Sequence, residues 1–159
     1  MKNKISILMI LVFGVITAQT NKTSYDMFYS GDENYNKPIK HVFFDELKGD
    51  KKIKEGTKIY FHMEGESFLF DSKTNKTKPL SHENFKKYHL EDPKNLADNE
   101  YSYFKKKISE FQKGTKTKTP LSNAMPISRS HKYFKVYVIE KTEGNVFLKY
   151  DVDWIYSTF

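Results

Sequence analysis

The stretch ISRSHKYF, residues 127–134, brings residue types that could do chemistry close together. It holds the only arginine of the chain, Arg129, with His131 two residues later and Tyr133 two beyond that. An arginine fork binds phosphate or carboxylate groups, and a histidine can exchange a proton near neutral pH. Alternate residues of a β-strand share one face, so an extended chain would present all three side chains together. The stretch is a candidate site for an anionic group, or only the solvated start of a β-strand.

Phosphodiester cleavage by a small secreted ribonuclease-like enzyme is one chemistry that these residues could support. That reaction needs a general base, a proton donor and a cation facing the charge that develops on the phosphorus. Glu64 or Glu66 could act as the base. His131 could act as the acid, with Arg129 and Lys132 supplying the cation. Their convergence is not visible in the sequence, so this phosphodiesterase is the alternative function.

Other catalytic and metal-binding motifs are missing or poorly spaced. The chain has no cysteine, no G-x-S-x-G elbow, no Walker loop and no G-x-G-x-x-G fingerprint. In HMEGE, His62, Glu64 and Glu66 would share a face of a straight strand, but the glycine between the two glutamates predicts a turn. His82 and His89 lie seven residues apart, too far to chelate one ion without a third element. We therefore predict no metal site and no cofactor.

A C-terminal β-hairpin is predicted to carry the ISRSHKYF stretch. KYFKVYVIEK and VFLKYDVDWIYS are rich in β-branched and aromatic residues and flank the turn residues Glu143-Gly144-Asn145. For the apolar residues of both strands to share a face, even-numbered residues must oppose even-numbered ones, which requires a three-residue loop. This register pairs Phe134 with Trp154, Val136 with Val152 and Val138 with Tyr150.

The outward face of this hairpin is the predicted binding surface. Its candidate binding residues are Arg129, His131, Tyr133, Lys135 and Tyr137. Exposed tyrosines can stack on sugars, peptides or protein surfaces. A second layer of structure over this face would instead give these residues a structural role. If the strand continues without a bulge, His131 faces Ser157 and Arg129 lies opposite Phe159, whose terminal carboxylate it could bind.

A second hairpin and two helices complete the predicted domain. Residues 57–72 place β-branched and aromatic residues on both sides of Glu64-Gly65, which predicts a hairpin. Residues 81–90 predict a helix with Ser81 as N-cap, and residues 98–113 a longer helix with Asp98 as N-cap. The apolar stripe of the longer helix is Tyr101, Phe104, Ile108 and Phe111. Residues 41–47 fit a short strand or a helical turn equally well.

These elements predict an α+β fold, in which a mainly antiparallel sheet carries two helices packed on one face and ends in a C-terminal β-hairpin. Residues 1–18 predict a signal peptide, because two lysines precede an apolar run shorter than the roughly 20 residues that span a bilayer. We expect cleavage near Ala18, with a retained N-terminal anchor as the alternative. Residues 19–40 predict a surface segment or edge strand, and residues 41–159 a single domain without a membrane span.

Composition adds a modest constraint on function. The 159 residues carry a formal net charge of +7, which signal peptide cleavage would lower by two. Such a surplus favours anionic surfaces without selecting one partner. We predict a small exported protein, periplasmic or secreted, that is non-enzymatic and binds another macromolecule, such as a protein, or a cell-envelope glycan. Nucleic acid is a partner only under the ribonuclease alternative.

Overall fold

The structure, a computed structural model, describes residues 23–114 and 121–156. The predicted signal peptide lies outside these residues, as do Ser157 and Phe159, the predicted partners of His131 and Arg129. Three helices are described: α1 (Ser24–Ser30), α2 (His82–Phe85) and α3 (Leu96–Gly114). The strands are β1 (Ile39–Phe44), β2 (Lys51–Glu55), β3 (Lys58–Met63), β4 (Glu66–Asp71), β5 (Thr77–Leu80), β6 (Lys135–Lys141) and β7 (Phe147–Ile155).

The seven strands form one mixed sheet. Its order is β1-β6-β7-β4-β3-β2, with β5 also pairing with β7. β1 and β6 run parallel, and the other pairs run antiparallel. β7 is the central strand, because β6 pairs along one of its edges while β5 and β4 pair with successive halves of the other. The fold is therefore α+β with a mainly antiparallel sheet, as predicted.

The register of the C-terminal hairpin follows the predicted parity. Val136 pairs with Val152, and Val138 with Tyr150. The backbone N–H of Thr142 donates to the carbonyl of Val146 at 2.8 Å, which closes the predicted three-residue loop. The third predicted pair, Phe134 with Trp154, is not formed, because the ladder between β6 and β7 ends at Val136 and Val152.

The inner face of the sheet encloses the main core. Phe44 of β1 contacts Phe61 of β3 with ring centroids 5.3 Å apart, although three strands separate β1 from β3 in the sheet. Lys52 of β2 likewise forms an ion pair with Glu140 of β6. Such contacts require the sheet to curve until its inner face packs against itself. The predicted hairpin at residues 57–72 is confirmed as β3 and β4, and its Phe61 and Phe68 face this core.

The helices α1 and α3 meet in a second core beside the sheet. Phe28 of α1 is 1% exposed, and its ring lies 5.8 Å from that of Phe104 in α3 and 5.0 Å from that of Tyr133. The expectation of a surface segment or edge strand over residues 19–40 missed this helix. Its signals are local: Thr23 and Asp26 form a capping box, and Gly31 ends the helix in the left-handed region.

The helix α2 is a single turn, shorter than the predicted 81–90. Ser81 is its N-cap as predicted, since its Oγ accepts from the N–H of Asn84 at 3.3 Å. Phe85 and the following Tyr88 pack with Ile139 and Phe147 on the outer face of the sheet. The two predicted helices therefore contact different sets of residues, because α3 contributes to the main and second cores instead.

The helix α3 starts before its predicted N-cap. Leu96 is its first residue, and Asp98 lies inside the first turn. Tyr101 is 50% exposed, and Glu100 takes the buried position beside Phe104. No helix within residues 23–114 and 121–156 is both long enough and apolar enough to cross a bilayer. Residues 41–47 combine both predicted alternatives, since β1 leads into a short 3-10 turn, Glu46–Lys48.

The C-cap of α1 offers a test of how the second core docks on the rest of the chain. A Cβ at Gly31 would lie 2.7 Å from Cβ of Lys132, whereas a Cβ at Gly56 would meet nothing within 4 Å. Both glycines have positive φ, +67° and +59°. We expect Gly56→Ala to cost about 1–2 kcal/mol from backbone strain alone. Gly31→Ala should cost about 1–3 kcal/mol more, because overpacking adds to the strain. Urea unfolding measures both, and equal losses would contradict the contact with Lys132.

A candidate binding cleft beside His131

Glu100, on the buried side of α3, organises the candidate site. The residue is 1% exposed, because helical spacing places it on the same side as Phe104 four residues later. Its Oε1 accepts hydrogen bonds from the backbone N–H groups of Lys132 at 3.0 Å and Tyr133 at 2.8 Å. Its Oε2 lies 2.6 Å from Nδ1 of His131. One buried carboxylate thus joins the long helix to the segment before β6.

Because of these hydrogen bonds, the segment before β6 does not continue the regular β ladder with β7. β6 begins at Lys135, and the preceding contact with β7 is an isolated bridge between Ser130 and Ile155. The N–H of His131 donates to the carbonyl of Trp154 at 2.9 Å. The strand therefore does not continue without a bulge, and His131 meets Trp154 where an uninterrupted register would have placed it opposite Ser157.

The imidazole of His131 is held on three sides. It stacks on the ring of Trp154 with centroids 3.6 Å apart and an interplanar angle of 8°, and the ring of Tyr156 lies 4.2 Å away. The side chain is 7% exposed. Its Nε2 makes no hydrogen bond within the described residues, where no buried side-chain nitrogen or oxygen lacks a partner. Nε2 therefore reaches solvent.

His131 lines an open cleft of about 710 Å³. The cleft lies between residues 33–39, the loop at residues 74–75, and the strands β6 and β7. Three asparagines line it: Asn34, Asn36 and Asn75. Aromatic rings contribute as well, from Tyr35, Phe134 and Trp154.

Charges of both signs line the cleft. The acids are Glu33, Asp151 and Asp153, and the bases are Lys37 and Lys135. Lys135 forms an ion pair with Asp151. Nζ of Lys37 donates to the carbonyl of Gly31 at 3.1 Å, and burial lowers the pKa of this ammonium group. With His131 counted as neutral, the three acids and two lysines give the cleft lining a formal charge of −1.

The structure brings two of the five predicted binding residues to this cleft, His131 and Lys135. Arg129 is exposed and is not part of the lining. Tyr133 was predicted on the outward face, but it is buried in the second core at 5% exposure. Its hydroxyl donates to the carbonyl of Tyr29 at 3.0 Å, and burial raises its pKa. The interruption of the strand before Lys135 explains this correction, because the hydrogen bonds to Glu100 turn Tyr133 away from the face of Lys135.

Tyr137 is half-buried on the outer face of the sheet. Its ring lies 5.5 Å from that of His41, and Nζ of Lys149 lies 4.3 Å from its centroid. The ring of Tyr88, after α2, also packs on His41, with centroids 4.4 Å apart. Other side chains therefore partly cover Tyr137. This matches the alternative predicted from the sequence, a second layer over this face, better than an open stacking surface.

The two carboxylates proposed for nuclease chemistry, Glu64 and Glu66, have different surroundings in the structure. Glu66 accepts a hydrogen bond from Nε1 of Trp154 at 2.7 Å, so it contacts the same indole as His131. Glu64 lies at the turn between β3 and β4, where a hydrogen bond with Asp92 raises its pKa. His62 bonds to the hydroxyl of Ser67 instead. Within residues 23–114 and 121–156, no three histidine, aspartate or glutamate side chains converge as a metal site requires.

Comparisons with protein-family models, with curated proteins and with solved structures give no match to this chain. The site therefore rests on its own geometry. Sequence reasoning missed Glu100, although a signal for it was present. Leu96, Glu100, Phe104 and Ile108 are spaced four apart, so Glu100 is an acid inside an apolar stripe. Such an acid requires buried donors.

The His41 cluster predicts a pH dependence of stability. Burial and, second, Lys149 lower the pKa of His41 from 6.5 to about 4. Between these values the unfolded chain binds a proton that the folded chain does not, so stability should fall as pH falls from about 6.5 to 4. We expect His41→Phe to lose less stability than the wild type between pH 7.5 and pH 5 in urea unfolding. The exposed His89→Phe is the control, and equal losses in all three proteins would contradict the burial of His41.

Proposed function

We propose that this chain is an exported, non-enzymatic binding protein whose cleft takes a neutral, hydroxyl-rich segment of a cell-envelope glycan. The observation that carries the proposal is the cleft of about 710 Å³ beside the immobilised ring of His131. Its volume falls in the range of about 300–1,000 Å³ that is usual for small-ligand sites. A few sugar units would fit this concavity, whereas a protein partner needs roughly 800 Å² of contact per side, with an apolar centre.

The hydrogen-bonding groups of the cleft match sugar hydroxyls. Asn36 is exposed and makes no hydrogen bond within the described residues, so both its donors and its acceptor are open to a ligand. Asn34 donates through Nδ2 to Asp32 at 3.0 Å, which leaves its carbonyl oxygen as an acceptor. Asn75 accepts from the N–H of Asp71 at 3.0 Å, which leaves its amide donors. A hydroxyl both donates and accepts, so it can satisfy either kind of group.

The local charge argues against nucleic acid, although the whole chain is basic. Binding of a phosphate backbone depends on lysines and arginines that neutralise phosphates. In this cleft Lys135 is already paired with Asp151, and Glu33 and Asp153 would repel phosphate. Arg129 lies outside the lining. The cations named for the ribonuclease alternative, Arg129 and Lys132, are therefore absent from the cleft lining, and Nζ of Lys37 already donates to the carbonyl of Gly31.

A titration of the purified protein with neutral oligosaccharides of N-acetylglucosamine, the uncharged sugar of peptidoglycan, tests the proposal. Isothermal titration calorimetry should show binding, and Asn36→Ala should weaken it about two- to tenfold, because one or two neutral hydrogen bonds are lost. Asn99→Ala, an exposed asparagine on α3 outside the cleft, is the matched control. An RNA oligonucleotide should neither bind at 150 mM salt nor be cleaved.

Three results would contradict the proposal. Absence of oligosaccharide binding would exclude this glycan class. Equal affinities of Asn36→Ala and the wild type would show that the oligosaccharide binds outside the cleft. RNA cleavage that disappears in His131→Ala would establish the ribonuclease alternative.

A further inference from the structure

We propose that Glu100 and His131 determine the specificity of the cleft, with Nε2 of His131 accepting a hydrogen bond from a ligand hydroxyl and Glu100 positioning the ring. The ligand part of this inference rests on the proposed function. The state of the ring can be measured without any ligand.

The imidazole of His131 has a fixed orientation. Nδ1 contacts Glu100 at 2.6 Å on the buried side, and the ring plane is held by the stack on Trp154 and by Tyr156. Rotation of the ring would break the contact with Glu100 and leave a carboxylate oxygen at 2% side-chain exposure short of a donor. Nε2 is therefore the ring nitrogen that remains open to a ligand.

The donors around Glu100 determine the position of the ring proton of His131. The backbone N–H groups of Lys132 and Tyr133 can only donate, and both donate to Oε1 of Glu100. An ionised carboxylate accepts on both oxygens, so the proton between Oε2 and the ring belongs to Nδ1 of His131. In a neutral imidazole the other nitrogen then carries a lone pair. Glu100 thus makes Nε2 of His131 an acceptor.

An acceptor at Nε2 makes the cleft selective for ligand groups that donate a hydrogen bond. His131 is 93% buried by side-chain area, and its single open polar atom accepts a hydrogen bond. A ligand O–H or N–H satisfies that atom, whereas an ether, carboxylate or phosphate oxygen leaves two acceptors facing each other. Sites built to hydrogen-bond a particular group reject analogues that lack it more strongly than apolar pockets reject a size difference. The pair therefore favours free hydroxyls over O-methyl or anionic groups.

Long-range ¹H–¹⁵N correlation spectra of the ligand-free protein at pH 8 test the ring state. We expect His131 to show a protonated Nδ1 and an unprotonated Nε2, with the signals assigned by their loss in His131→Phe. Glu100→Gln should reverse the pattern. Its amide oxygen would keep the two backbone donors, so its NH₂ would donate to Nδ1 and move the ring proton to Nε2. Glu110→Gln, an exposed glutamate on the same helix, is the control and should leave the spectrum unchanged. A proton on Nε2 in the wild type, or an unchanged ring in a folded Glu100→Gln protein, would overturn the inference.

A series of ligands tests the proposed hydrogen bond between Nε2 of His131 and a ligand hydroxyl. On addition of the N-acetylglucosamine oligosaccharide, the Nε2 signal should shift more than the Nδ1 signal. An O-methylated oligosaccharide should bind the wild type about tenfold more weakly, and Glu100→Gln should bind the unmodified one about tenfold more weakly as well. His131→Phe should not distinguish the two oligosaccharides. Equal binding of both by the wild type would overturn the selectivity. If no oligosaccharide binds but the ring shows the expected state, the proposed function and the ligand contact are wrong, and the positioning by Glu100 stands.

Discussion

A single buried carboxylate connects the parts of this molecule that sequence keeps far apart. Glu100 sits in α3 and accepts donors from residues more than thirty positions later, including two backbone N–H groups. A carboxylate this deep is costly unless it is fully hydrogen-bonded, so loss of its partners would cost about 3–5 kcal/mol. The same contacts determine where β6 begins, turn Tyr133 into the second core and hold His131 at the cleft. Core packing and site geometry therefore depend on the same group.

The parts of the fold that follow strict local rules could be predicted from the sequence. The period of two along a strand admits only one parity for the C-terminal hairpin, which is why the Val136–Val152 pairing and the three-residue loop were predictable. The N-cap at Ser81 and the hairpin around Glu64-Gly65 follow equally local signals. By contrast, α2 ends after one turn because Phe85 and Tyr88 pack on the outer face of the sheet, a tertiary contact that no periodicity encodes.

The candidate site was predictable only in part, for a related reason. The parity rule grouped Arg129, His131, Tyr133, Lys135 and Tyr137 on one face, and it holds from Lys135 onward. Upstream, the hydrogen bonds of Glu100 interrupt the strand, so Tyr133 is buried while His131 turns to Trp154. The net charge of the chain also failed to predict the charge of the site, because this basic chain carries a cleft lined by three acids and two lysines. The chemistry of a site depends on the charges that converge there.

The central claim is that Glu100 holds the segment before β6, and amide hydrogen exchange at Lys132 and Tyr133 tests it most directly. These two residues precede β6, so no strand pairing protects their N–H groups. If the carboxylate binds them, both should exchange as slowly as the core strand amides, through an opening that detaches α3. Exchange as fast as at the fully exposed Ile127 would contradict the account, because the segment would then be held by something other than Glu100.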